Sequence, residues 1–218
     1  HHPPPRISVC IPYFKRAQNL ALALQALARQ TTPLDTIEVV IGAMGADASC
    51  IPPSFAAPEM LRVTCAISRE PFQISHARNL AMRAATGDLI VQMDADTFLA
   101  PDALERLSAA SLAPAGGACC VGRVLGYDNN ATDRADSPPP ATHDALARQL
   151  ARLRAGGQPG ADLRFGEEVH IPWAFVWTGL VAIPRTHVTD HDLYFDESFV
   201  GWGVDDLEWG YRIAASGI

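Results

Sequence analysis

The sequence predicts an α/β fold, with a mixed, mainly parallel central sheet of Rossmann-like type flanked by helices. Two observations predict it. Short apolar runs of strand length alternate with stretches whose leucines recur at helical spacing. A pair of aspartates also stands directly behind one of those runs, the place where open α/β sheets hold their ligands.

Ile7 to Pro12 (ISVCIP) is the first strand candidate, followed by Thr36 to Ile41 (TIEVVI), Leu61 to Ile67 and Leu89 to Met93 (LIVQM). Leu20, Leu24 and Leu27 mark a helix from about Ala17 to Arg29. Ser75 is placed to cap a helix running to Ala85, with Gly87 as its terminator. Pro101 suits the first turn of a helix that turns Leu104 and Leu107 inward. Between Pro114 and Gly166 the chain is rich in Gly, Pro, Asp and Ala, so loops are expected around one helix, about His143 to Arg154. His170 to Pro184 is aromatic and apolar and suits one or two strands. Asp205 to Ser216 reads as a last helix.

With 218 residues, 48% hydrophobic and 19% charged, the chain has enough apolar material for one full core, so residues 6–218 are expected to form a single domain. Its net charge of -7 argues against nucleic acid as a partner, which calls for a basic face. An acidic protein still binds a diphosphate when a divalent cation stands between them. Five cysteines, an odd count without metal spacing, predict free thiols in a reducing compartment. No apolar run approaches the ~20 residues that span a bilayer. The expected location is therefore the cytoplasm, with membrane association only through other segments or partners.

Asp94 and Asp96 are two residues apart, so in extended structure they point to the same side. Two hard oxygen ligands on one side suit Mn²⁺ or Mg²⁺, with phosphate oxygens and water completing the shell. Taken alone, Asp-x-Asp is also what a solvated turn looks like. Its neighbours add to it. Ala77-Arg78-Asn79, Thr86-Gly87-Asp88 and Met93-Asp94-Ala95-Asp96 occur in order, after an opening Ser8-Val9-Cys10-Ile11-Pro12-Tyr13. This series resembles the donor-binding core of family 2 glycosyltransferases of the GT-A fold, over nearly the whole chain. The resemblance implies transfer of a sugar from a nucleoside-diphosphate donor, usually UDP-linked, to an acceptor hydroxyl. It implies a donor-binding half at about 6–113 and an acceptor-side half at about 114–218. Asp96 is then the stronger metal ligand, and Asp94 contacts the ribose or the metal through water.

Near the C-terminus, Phe195-Asp196-Glu197-Ser198-Phe199 precedes Gly201-Trp202-Gly203-Val204-Asp205-Asp206. The run is similar to a signature of galactosyltransferases and chondroitin-polymerase-type enzymes. By that similarity Asp206 takes the position of the catalytic base, Asp205 stands beside it, and Trp202 meets the acceptor sugar. An aspartate at a helix start is held ionised by the helix dipole, and it accepts a proton as the hydroxyl attacks. The implied outcome is inversion at the anomeric carbon. Without the resemblance, the two acids are a helix start and nothing more.

Pro12 and Tyr13 either pack the uracil ring or belong to the core. Arg16 or Arg78 is a candidate for the uracil or a phosphate, with a surface arginine as the reading favoured for Arg16. Asn79 either bonds the donor or braces the Asp-x-Asp loop. Trp177-Thr178-Gly179 resembles the segment that lines the sugar pocket, with Trp177 toward the acceptor and Gly179 allowing close approach of the donor. Relatives carry an acidic pair after the second strand, but here Gly42 to Ala46 holds no acid before Asp47. Backbone groups then hold the base, or the donor is not a uridine nucleotide. Relatives also place a histidine ligand beyond the final helix, so the third metal ligand is expected past Ile218 or as water. Two other functions fit the same sheet: a catalytically weak or inactive relative that binds a nucleotide sugar, and a sugar-phosphate nucleotidyltransferase. The latter needs a glycine-rich loop after the first strand, which Pro12-Tyr13-Phe14-Lys15-Arg16 does not supply.

Overall fold

Seven consecutive buried residues, Ile7–Tyr13, form the first strand, β1, of a computed structural model that describes residues 6–45, 60–124, 142–155, 171–201 and 203–218. Such unbroken apolar runs belong to strands covered on both faces. β2 (Ile37–Met44) and β4 (Leu89–Met93) are buried throughout in the same way, whereas β3 (Arg62–Ser68) is a half-exposed edge strand. β5 (Cys120–Val121) and β6 (Leu180–Pro184) complete six strands in the order β3-β2-β1-β4-β6-β5. The first four pair in parallel; β6 runs antiparallel to β4, and β5 antiparallel to β6.

Helices cover both faces. Ile7, Val9, Ile11 and Tyr13 pack with Leu20, Leu24 and Leu27 of α1 (Ala17–Leu27) and Leu104 and Leu107 of α3 (Ala103–Leu112). Cys10, Val40 and Ile90 face the other way. They meet Ala81 and Met82 of α2 (Ile74–Ala84), Val188 of α5 (Arg185–Asp190), and Trp209 and Ile213 of α6 (Asp205–Ala215). The remaining helix, α4 (His143–Ala155), is the one expected inside the Gly- and Pro-rich stretch. The strand order reverses between β1 and β4, so the carboxyl ends of these two strands open onto a crevice at the switch point.

Several local expectations are corrected. Ser75 does not cap α2: the helix starts at Ile74 behind Gln73, and the Ser75 hydroxyl is buried inside the first turn. Gly87 does not end that helix. It lies against the start of β1, where a Cβ would come within 2.7 Å of the Ser8 amide nitrogen. Pro101 sits in the turn before α3 rather than in its first turn. The described part of His170 to Pro184 forms one strand, β6, after a 3-10 turn at Pro172–Phe175. Neither α5 nor β5 was anticipated.

At the amino ends of the strands a buried acid ties three segments together. Glu38 is 6% exposed and accepts hydrogen bonds from the Ser8 hydroxyl (2.6 Å), the Thr86 amide (2.6 Å) and the Thr86 hydroxyl (2.9 Å). The Gly87 amide in turn donates to Ser8 Oγ at 2.7 Å. Burial by itself raises the Glu38 pKa. The bonds from Ser8 and Thr86, with the charge of Arg62, outweigh burial and hold it below the ordinary value.

Candidate active site

The carboxyl end of β4 delivers Asp94 and Asp96 to the crevice. The chain turns directly after the strand, with the Thr97 amide donating to the Asp94 carbonyl at 3.0 Å. Ala95 is buried, while the side chains of Asp94 and Asp96 are 39% and 41% exposed. Arg16, read above as a surface residue, pairs with Asp96 from the carboxyl end of β1.

The element that joins this pair to the C-terminal acids is α2. Its Arg78 is 5% exposed and reaches carboxylates from both parts of the chain. Nη1 donates to Asp205 Oδ2 at 2.6 Å and to Asp206 Oδ1 at 3.1 Å, and Nη2 lies 3.6 Å from Asp94 Oδ1. The guanidinium also lies over the Phe195 ring, 5.1 Å from its centre. Arg78 is therefore engaged mainly by acids of the protein itself, an arrangement its expected role at the donor did not include. Asp205 is 5% exposed, and a buried carboxylate needs such a partner.

Concentrating acids here perturbs them. Burial pushes the Asp94 carboxyl up to about 6, against Arg78 and with help from Asp96 and Asp206. Asp206 is raised too, first by burial and then by Asp205, with Arg78 and Thr178 opposing. The Thr178 hydroxyl donates to Asp206 Oδ1 at 2.9 Å and its amide to Oδ2 at 3.3 Å.

α6 begins sharply. Val204, the residue before it, has φ 70° and ψ -26°, a left-handed conformation that β-branched side chains rarely adopt. Such strain persists only where the surroundings enforce it. Gly203, at φ 99°, supplies the turn ahead of it. Trp202 and Asp47 lie outside the described residues.

Other expected residues take different places. Pro12 is buried in β1 opposite Gly42, and Tyr13 is core at 8% exposure, so neither offers a face to a nucleobase. The aromatic at that ledge is Phe14, 40% exposed and stacked on Phe72 with ring centres 4.5 Å apart. Phe14 lies just past the end of β1, where the burial of the strand stops, and no periodicity in the sequence marked it. Asn79 is buried and does not brace the Asp-x-Asp loop. Its amide nitrogen donates to the Phe195 carbonyl (2.8 Å) and Glu197 Oε1 (2.7 Å), and its oxygen accepts from the Phe195 amide (2.8 Å). Gln73 and His76 hold the same segment, Gln73 through the Glu197 and Phe199 carbonyls and His76 through Glu197 Oε2 at 2.7 Å. Trp177 is half-buried near Phe175, ring centres 6.3 Å apart, and the Gly179 carbonyl accepts from Thr97 Oγ1 at 2.9 Å.

The last residues of β2 leave no room for acidic side chains. A Cβ on Gly42 would stand 1.8 Å from the Ala77 carbonyl oxygen of α2, and Ala43 and Met44 are buried. As for a cation, Asp94 and Asp96 offer partly exposed, hard oxygen donors in a spot where acids crowd, and that donor set suits Mn²⁺ or Mg²⁺. Among the described residues no group of three or more His, Cys, Asp or Glu is placed to hold a metal ion.

The model for glycosyl transferase family 2 matches residues 8–165. The chain belongs to that family. Its sheet and helices are those of the GT-A fold. Among curated relatives of this family 2 chain, validoxylamine A glucosyltransferase from Streptomyces hygroscopicus subsp. jinggangensis (strain 5008) is 31% identical, over 98% of the chain and 52% of the relative. The protein of the same description from subspecies limoneus is 30% identical over 98% and 49%. Of solved structures, the Pyrobaculum calidifontis mannosyltransferase PcManGT in complex with GDP-Man and Mn²⁺ superposes with a TM-score of 0.61 at 22% identity, over 98% of the chain and 53% of that protein. TarS 1-349 of S. aureus in complex with UDP gives 0.64 at 16%, over 94% and 54%. The chain thus spans about half the length of the relatives it matches. Among the described residues no helix is long and apolar enough to cross a membrane.

Proposed function

We propose that the chain forms the catalytic domain of an inverting, metal-dependent glycosyltransferase. It moves a hexosyl unit from a nucleoside-diphosphate donor, a uridine nucleotide first, to an acceptor hydroxyl in polysaccharide or glycoconjugate synthesis. The observation that carries this reading is the shared arginine. Asp94 at the end of β4 and Asp206 at the start of α6 both lie within reach of Arg78, so a strand-end acid pair and a helix-start acid line one crevice at the sheet's switch point.

Each residue then has a task. Phe14 and Phe72 offer a stacked aromatic ledge to the base, and backbone groups recognise its edge, since β2 has no room for an acid at Gly42. Asp96, with Asp94, would hold Mn²⁺ or Mg²⁺ at the donor diphosphate. When bound, the cation neutralises charge on the departing nucleotide. Gly179 leaves space beside the donor sugar, and Trp177 and Trp202 offer aromatic faces to the acceptor. Asp206 accepts the hydroxyl proton as that oxygen attacks the anomeric carbon from the side opposite the diphosphate. Asp205 keeps Arg78 in place beneath it. The names of the curated relatives make glucose and validoxylamine A the first sugar and acceptor to try.

Calorimetry with UDP, GDP and CDP, with Mn²⁺ present or chelated, tests the donor half. Binding of one nucleotide should require the metal and vanish in Asp96→Ala. Asp206→Asn should keep that binding and lose transfer by at least about 100-fold, the usual scale for a general base. Metal-independent binding, or full transfer by Asp206→Asn, would sink the reading.

A further inference from the structure

The Asp206 carboxylate is gripped from two sides, and the second grip comes from a residue given no role above. Oδ1 receives Arg78 Nη1 at 3.1 Å and Thr178 Oγ1 at 2.9 Å. Among the described residues, Oδ2 receives only the Thr178 amide, at 3.3 Å. Thr178 is 1% exposed, so its hydroxyl has no solvent alternative and its geometry is set by the fold. The next residue, Gly179, accepts from Thr97 Oγ1, and Thr97 directly follows the Asp94-Ala95-Asp96 turn. A continuous path therefore runs from the strand-end acids through Thr97, Gly179 and Thr178 to Asp206. It returns through Arg78 to Asp94.

From this geometry we infer that Thr178 is a positioning residue for the base, and that Oδ2 of Asp206 is the atom that takes the proton. Two donors occupy Oδ1, which leaves Oδ2 with spare acceptor capacity. In the step itself, the acceptor O–H proton passes to Oδ2 of Asp206 while the acceptor oxygen bonds the anomeric carbon. The bond from that carbon to the phosphate oxygen breaks, and its electron pair leaves with the nucleoside diphosphate. Thr178 exchanges no proton. It fixes the carboxylate plane, and misplacement of about 1 Å in such a group lowers rate by up to about 100-fold. The Thr97 link makes that placement depend on the turn that carries the donor-side acids.

The inference rests on Asp206 being the base, so the test separates the two. UDP release from UDP-glucose with Mn²⁺ is followed with validoxylamine A, and with water, as acceptor. Thr178→Val keeps the amide and size and removes the hydroxyl. It should lower kcat about 10- to 100-fold with KM for UDP-glucose nearly unchanged, and Thr178→Ser should restore most of the rate. Asp206→Asn with Thr178→Val should be no slower than Asp206→Asn alone, because both changes act through one carboxylate. An additive loss, or a KM effect without a kcat effect, overturns the inference. If Thr178→Val fails to fold by its thermal transition, the Thr178→Ala and Thr178→Ser pair decides: equal rates overturn the proposal. Wild-type release abolished by Asp206→Asn but untouched by Thr178→Val would leave the base standing and remove Thr178. A wild-type protein with no release overturns both.

Discussion

Arg78 is the residue on which the electrostatics of the crevice turn. Its partner Asp205 is 5% exposed, too deep to stay charged comfortably without a cation in contact. Arg78→Met should lower stability by about 3–5 kcal/mol, the usual penalty for stranding a buried charge. Denaturant unfolding of the variant checks this. Arg78→Lys should recover only part, since a lysine lacks the fork that reaches Asp205 and Asp206 together. A fully stable Arg78→Met would contradict this account of the pair. At this scale the sequence is least legible. Arg78 and Asp205 stand 127 positions apart, and nothing local in Ala77-Arg78-Asn79 says that its arginine faces acids of the protein before any phosphate. Asn79 was equally opaque: its partners, Phe195 and Glu197, come from the far end of the chain.

Among elements, the strands were readable and the caps were not. β1, β2 and β4 are covered on both faces, so their composition alone marks them. The start of α2 misled because Ser75 has the chemistry of a cap, yet Gln73, before the helix, is drawn toward the Glu197 and Phe199 carbonyls instead. β5 has two residues and α5 has six, too short for any periodicity to register. The Glu38 knot ties β1, β2 and the turn before β4, and it makes a pH-dependent contribution. Its folded pKa is lowered, so its stabilisation is complete above the unfolded value of about 4.3 and is lost as pH falls through the folded value. Glu38→Gln should therefore be less stable than wild type at pH 7, and the gap should close on acidification below about pH 4. Thermal unfolding of the two proteins across pH 3–8 reads it directly, and a gap that widened with acid would contradict the assignment.

Across the whole molecule, α2 does two jobs at once. Its buried side covers the sheet through Ala81 and Met82 and, one turn earlier, grips Phe195, Glu197, Asp205 and Asp206 through Arg78 and Asn79. The C-terminal acids at the start of α6 are thus held by a helix from the N-terminal part of the chain. In hydrogen exchange, Arg78→Met should loosen amides at the start of α6 and around Thr178 while β1, β2 and β4 keep their protection. Uniform loss across the sheet would show instead that the crevice and the core melt as one unit. The overall architecture was legible for the reason the site was not. A parallel sheet writes itself in contiguous runs, whereas a crevice assembled from three distant segments leaves only fragments in each.

The clasp between α2 and α6 also bears on how such domains can be recombined. A simple chimera would graft everything after β4 from one relative onto the N-terminal part of another. In this chain the graft boundary would cut between Arg78 and the two acids it serves. A chimera that imports a new α6 with its own aspartates but meets a different residue at position 78 would inherit an unmatched buried charge. Exchanges that carry α2 along with the C-terminal segment, from Gln73 to Ala84 together with Phe195 to Ala215, are the ones the architecture permits.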